Sequence, residues 1–200
     1  MTPRRTFMKK YRISPLTLML MAAFIVIDGT WFALYAVLCA LWHEAWHLIT
    51  LRLVGGYARE VSVRQYGISL ETAGLGYKQE AAVALAGPAA SLAAFLFFAV
   101  VSRYFLFSET TVFLAASNLA VLAVNILPVY PLDGGRALHC LLCMKYEPAR
   151  AALATKIISF IFLLPLSVFS VIILVRTGYN LSLIIICIYL AILLIGVKDI

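Results

Sequence analysis

Charged side chains are scarce in this chain of 200 residues. Asp, Glu, Lys and Arg make up 12% of it, whereas apolar residues make up 64%. A soluble globular protein is closer to half apolar and a quarter charged. The composition therefore excludes an ordinary soluble domain. It predicts a polytopic membrane protein whose length suits one compact bundle.

Cysteine is also scarce, and its distribution excludes a disulfide framework. The four cysteines lie in or near apolar segments, and three of them lie toward the side predicted to face the reducing cytosol. Cys140 and Cys143 match a CxxC spacing, but no strand–helix–strand pattern accompanies them. We interpret them as packing residues.

Long apolar runs predict six membrane-spanning helices, at 13–28, 30–53, 81–101, 111–127, 155–175 and 181–197. The basic N-terminus and the first apolar run resemble a signal peptide. Because no convincing cleavage site follows, we interpret the run as a retained membrane span. With the N-terminus in the cytosol, 14 of the 16 Lys and Arg residues lie inside, and only Arg103 and Arg176 lie outside. This asymmetry predicts that both termini are cytosolic. It also explains the net charge of +7 without a nucleic-acid partner.

Between the second and third spans, apolar and polar residues alternate at 61–64 and 68–71. The alternation predicts a short β-hairpin at the cytosolic interface, after a helix that ends at Gly55 and Gly56. The hairpin could hold an extended substrate along its edge or simply cover the site. The predicted fold class is thus an all-α polytopic membrane protein, with six transmembrane helices and this hairpin between helices 2 and 3.

His43, Glu44 and His47 form an HExxH sequence inside the second apolar run. Two imidazoles four residues apart share one face of a helix and can bind one zinc ion. The glutamate between them can act as general base toward the attacking water. A carboxylate in hydrocarbon is costly, so an intramembrane glutamate indicates a functional site.

A catalytic zinc site usually has three protein ligands, and the candidates for the third are few. Asp28 is predicted near the outer face, at the wrong depth, as a turn or cap residue. Asp133 follows Pro128 and Pro131, which break the fourth span near the cytosolic side. Alone it would be a turn or helix cap, but with HExxH at a matching depth it is predicted to be the third ligand. We interpret the remaining candidate, His139, as a packing or interface residue.

At this point the sequence resembles the site-2 family of intramembrane metalloproteases. The resemblance covers about residues 30–145 and rests on HExxH, on an Asn…Pro…Asp-Gly segment and on a small-residue element between them. The matching residues are His43, Glu44, His47, Ala86, Gly87, Pro88, Asn125, Pro131, Asp133 and Gly134.

Spacing and span count resemble most the stage IV sporulation protein FB subgroup, without the C-terminal CBS domain that those proteases often carry. The chain also departs from the family pattern at Ser91, where the family often has Asn shortly after Ala-Gly-Pro. Nucleotide regulation therefore does not carry over from the resemblance, and the resemblance does not assign a polar role to Ser91.

The resemblance implies an intramembrane zinc metalloprotease that hydrolyses a peptide bond of a membrane-bound or membrane-associated protein, such as a transcription-factor or sigma-factor precursor. One zinc ion would be held by His43, His47 and Asp133, with Glu44 as the catalytic base. Asn125 would orient substrate or donate to the oxyanion, although a simple interhelical hydrogen bond is an open alternative.

We expect residues 1–200 to form one membrane-embedded domain, with a core at 30–145 and accessory helices at 155–197. The protein would be a multi-pass component of a bacterial cytoplasmic membrane, or of a mother-cell-derived membrane in a spore former. Membrane regulatory proteins would be further partners. Two other classes stay open. A metal transporter would need more polar residues along a path through the outer half, and a non-catalytic scaffold would not need Glu44.

Overall fold

The computed structural model describes residues 11–13, 31–64, 67–73, 75–177 and 182–196. Within these ranges the chain forms six helices and three strands. In chain order they are β1 (Tyr11–Ile13), α1 (Trp31–Leu53), β2 (Tyr57–Arg64), β3 (Gly67–Ala73), α2 (Tyr77–Tyr104), α3 (Glu109–Asn125), α4 (Asp133–Cys143), α5 (Pro148–Thr177) and α6 (Ser182–Gly196).

The end of α1 is fixed by two glycines, as the sequence predicts. Gly55 has a φ of +77°, a left-handed backbone conformation that glycine adopts without steric strain. Its N–H donates to the Arg52 carbonyl at 3.1 Å, and the Gly56 N–H donates to the Leu51 carbonyl at 3.0 Å. This pair of bonds satisfies carbonyls that the end of the helix would leave unpaired, and the chain then turns into β2.

Helix α2 lies at the centre of the bundle and packs against α1, α3 and α4. Its buried face is made almost entirely of small residues: Ala81, Val83, Ala84, Gly87, Pro88, Ala90 and Ser91. Small side chains let helix backbones approach closely within a membrane. The face that meets α1 and α4 is therefore shaped for close contact.

The segment between α3 and α4 is held by the two C-terminal helices. Val129 is fully buried and packs with Leu163 of α5 and with Cys187 and Leu190 of α6. The backbone N–H of Tyr130 donates to the hydroxyl of Ser159 on α5 at 3.0 Å. These contacts give α5 and α6, which carry no sequence motif, a part in placing the start of α4.

The predicted count of six transmembrane helices is wrong. Among the described residues, three helices are long and apolar enough to cross a membrane: α1, α2 and α5. Helices α3 and α6 have 17 and 15 residues, which at 1.5 Å per residue gives roughly 22–26 Å against a hydrocarbon core of about 30 Å. The predicted first span falls mostly outside the described residues. The three long apolar helices make the chain a membrane protein.

The all-α class also needs correction, because the two strands of the predicted hairpin are part of a larger sheet. Strands β2 and β3 pair antiparallel from Tyr57 opposite Ala73 to Arg64 opposite Gly67. They belong to a three-stranded sheet of order β1-β2-β3, because β1 pairs parallel with β2 from Tyr11 opposite Val61. A parallel partner about fifty residues away leaves no local signal, so the alternation at 61–71 could not reveal it.

Candidate metal centre

The two histidines of HExxH lie side by side on the buried face of α1. His43 and His47 are 3% and 4% exposed, and their ring centroids are 4.9 Å apart. Their Nε2 atoms are separated by 3.2 Å. The four-residue spacing therefore brings the two ligand atoms together, as expected for one face of a helix.

Gly87 of α2 makes room for both imidazoles. A Cβ atom at this position would lie 2.6 Å from His43 Nε2 and would also overlap the His47 ring. Real Cβ atoms do not approach ring atoms so closely, so only glycine allows α1 and α2 to pack at this point. The small-residue element thus lies directly against the histidine pair.

Asp133 approaches the histidine pair from the first residue of α4. Its Oδ2 lies 2.9 Å from His43 Nε2 and 3.1 Å from His47 Nε2. The two residues after it must also be glycine, because a Cβ on Gly134 would overlap the Ile126 carbonyl and one on Gly135 would overlap the backbone of Val129 and Tyr130. The chain folds back tightly after α3 and so directs Asp133 at α1.

Each histidine has a second partner on its other ring nitrogen. His47 Nδ1 lies 2.7 Å from the backbone carbonyl of Val83, and His43 Nδ1 lies 3.0 Å from the Ser91 hydroxyl. A carbonyl oxygen only accepts, so His47 carries a proton on Nδ1 and donates it. When Nε2 carries no proton, its lone pair points toward Asp133. This is the tautomer that a metal ligand needs.

The three converging atoms fit a metal ion. Their separations of 2.9, 3.1 and 3.2 Å are close to the roughly 3.3 Å between neighbouring ligands of a tetrahedral zinc ion with bonds of about 2.0–2.1 Å. Lone-pair atoms so close together repel unless a cation lies among them, and a proton bridges only two atoms. Among the described residues, these three form the group whose ligand atoms could hold a metal ion.

The charge of Asp133 suits this role. Burial alone would raise the pKa of its carboxyl, but interactions with His43 and His47 in their protonated forms outweigh burial and hold the pKa at about 2. A bound metal ion would supply the positive charge in place of those protons. The carboxylate is therefore ionised at neutral pH, as a ligand must be.

Glu44 follows His43 directly and is half-buried. It lies close enough to His43, His47 and Asp133 to interact with their charges. A carboxylate at the edge of the centre, with part of its surface accessible, can exchange a proton with water beside the three ligand atoms.

The other sequence candidates lie elsewhere. The amide of Asn125 donates to the Val121 carbonyl of its own helix at 3.0 Å. This bond lies within α3. It is not a contact with the centre, and it does not join two helices. His139 belongs to α4, and its imidazole ring lies against α5. The ring nitrogens are 3.4 Å from Cys143 Sγ and from Thr155 Oγ1. Asp28 is outside the described residues.

Sequence reasoning missed the partners that orient the histidines. The resemblance assigned no polar role to Ser91, yet its hydroxyl contacts His43. The carbonyl of Val83 leaves no trace in a sequence motif. The available signal was the spacing of four residues that relates Val83, Gly87 and Ser91 and places them on one face of α2.

The fold is similar to that of a solved structure, the site-2 protease from Methanocaldococcus jannaschii, with a TM-score of 0.62. The two chains are 18% identical, and the similarity covers 94% of this chain and 89% of the other. No protein-family model and no curated protein matches the sequence. At this identity the likeness establishes a shared fold, and the function has to be argued from the site. The narrower resemblance to the sporulation subgroup stays a prediction.

Proposed function

We propose that this protein is an intramembrane zinc metalloprotease, which hydrolyses a peptide bond of a membrane-bound or membrane-associated protein. One observation carries the proposal: His43 and His47 of a long apolar helix meet Asp133 of α4, with ligand atoms 2.9–3.2 Å apart. The shared fold with a site-2 protease supports the reaction class.

The residues present define the parts of the reaction. His43, His47 and Asp133 would hold one zinc ion, and three protein ligands are typical of a catalytic zinc site. Zinc bound there supplies Lewis acidity, which polarises a scissile carbonyl and lowers the pKa of water. Glu44 accepts the proton of the attacking water and returns it to the amine of the leaving peptide.

The position of the centre constrains the substrate. Both histidines lie in α1, a helix long and apolar enough to cross a membrane, and both are buried. A substrate must therefore bring its peptide bond to a site enclosed by membrane helices. A helical substrate must also unwind there, because a helix keeps its carbonyls in internal hydrogen bonds. This favours a membrane protein, such as the transcription-factor or sigma-factor precursors that the sequence resemblance implies.

The test compares the purified wild type, Glu44→Gln and the control Glu109→Gln, whose carboxylate is exposed in the first turn of α3. Zinc content is measured by mass spectrometry, and cleavage as new peptide N-termini in a bacterial inner-membrane extract. We expect zinc in all three and cleavage with the wild type and Glu109→Gln only.

Two outcomes would contradict the proposal. Zinc flux into vesicles that survives in Glu44→Gln, without new N-termini from the wild type, indicates a transporter. Zinc binding with neither flux nor cleavage indicates a non-catalytic scaffold.

A further inference from the structure

Three positions on α2, each four residues apart, contact the histidine pair. Val83 contacts His47 through its backbone carbonyl, and Ser91 contacts His43 through its hydroxyl. Gly87 lies between them and leaves space for both rings. The spacing of four places these positions in one stripe along the helix. The stripe faces the two histidines, which are themselves four residues apart on α1.

The two ends of this stripe differ in kind. The contact with Val83 is made by a backbone atom, so its acceptor character does not depend on the side chain. The contact with Ser91 is made by a hydroxyl, which can donate or accept. The orientation of His43 therefore depends on one side chain, whereas that of His47 does not.

We propose that Ser91 is a positioning residue for the metal centre: its hydroxyl accepts the Nδ1 proton of His43, so that the Nε2 lone pair faces Asp133 and His47. The inference rests on the metal centre of the proposed function, although it does not require that the bound metal cleaves peptides. Ser91 is 0% exposed and His43 is 3% exposed, so water does not replace the bond when it is lost.

The geometry distinguishes positioning from simple helix packing. A packing residue is required for its volume, and alanine, which is only one oxygen smaller, would substitute for it at little cost. A positioning residue is required for its oxygen. Removing a hydrogen-bond partner of a metal-bound histidine typically weakens metal binding about 10–100-fold.

The experiment measures zinc dissociation constants in detergent by competition with a chelating indicator for the wild type, Ser91→Ala and Ser91→Thr. The control is Ser170→Ala, because Ser170 is also 0% exposed but bonds a carbonyl of its own helix, α5, at 2.7 Å. We expect zinc binding to weaken about 10–100-fold in Ser91→Ala, to recover largely in Ser91→Thr and to stay within about twofold of the wild type in Ser170→Ala.

A second readout covers the ligand geometry. Cobalt absorption spectra report the coordination of the ion, so Ser91→Ala should alter the visible bands and Ser170→Ala should not. If Ser91→Ala does not fold, Ser91→Gly takes its place: it also removes the hydroxyl and adds no atom to the packed interface, and we expect the same loss of about 10–100-fold in zinc affinity.

Wild-type zinc affinity and cobalt spectra in Ser91→Ala, or in Ser91→Gly when the alanine variant does not fold, would overturn the proposal. Absence of zinc binding by the wild type would instead contradict the proposed metal centre. The two failures are therefore distinguishable.

Discussion

The metal centre has two sides that are built differently. The histidine side consists of α1 packed on α2, and its residues lie within two regular helices. The aspartate side consists of the turn from 126 to 132 and the start of α4, where Tyr130 is bonded to Ser159 and Val129 is buried against α5 and α6. Local helix geometry thus fixes one side, whereas distant helices fix the other.

This difference explains what a sequence can reveal. A spacing of four residues is enough to place His43 and His47 together, because helix periodicity does the rest. The position of Asp133 depends on contacts with residues about thirty positions later in the chain. We therefore expect a graded series of effects. Changes at a ligand or against the ligand rings act directly on metal binding, whereas changes to the contacts that hold the turn act indirectly.

The largest effect is expected for Gly87→Ala. The added Cβ would overlap both imidazoles, so either the rings rotate out of position or α1 and α2 separate. We expect zinc binding to be lost and the protein to be destabilised on the order of 1–3 kcal/mol. Zinc titration and thermal unfolding in detergent check this.

Gly76→Ala is the matched control, since the nearest atom to an added Cβ at that position is 4.0 Å away. Tight zinc binding by Gly87→Ala would show that the two imidazoles have room to move, and it would contradict the close packing of α1 on α2.

Asp133→Asn should follow in size. The amide keeps the shape of the side chain but removes the negative charge that binds the ion. We therefore expect zinc binding to weaken more than about 100-fold. This loss exceeds the roughly 10–100-fold expected when a residue that only supports a ligand is changed. Calorimetric titration with zinc measures the loss. Glu147→Gln is the control, because that carboxylate is 79% exposed near the start of α5. Equal effects of the two variants would remove Asp133 from the ligand set.

Ser159→Ala should give the smallest effect and tests the aspartate side alone. It leaves the part-buried N–H of Tyr130 without its acceptor, which costs about 1–3 kcal/mol. Zinc affinity should fall only a few-fold, because the ligands themselves are unchanged. Hydrogen exchange should rise in the turn at 126–132 and stay unchanged in α1. Faster exchange in α1 instead would show that the two sides are not separately supported.

The sequence predicted most of the candidate centre and less of the architecture. HExxH identified three residues, and the scarcity of acidic groups reduced the choice for a third ligand to Asp133. The number of long spans could not be read from apolar runs alone, because Pro128 and Pro131 follow a helix of only 17 residues. Gly87 and Ser91 acquire their roles only when α2 packs on α1, so no local pattern specifies them.

In the proposed centre, two histidines and one aspartate share a single zinc ion. X-ray absorption at the zinc edge of the purified wild type tests this arrangement. We expect one zinc per chain, two imidazole nitrogens among nitrogen and oxygen ligands only, and loss of that signal in Asp133→Asn. A spectrum with sulfur ligands, or one that is the same in Asp133→Asn, would contradict it.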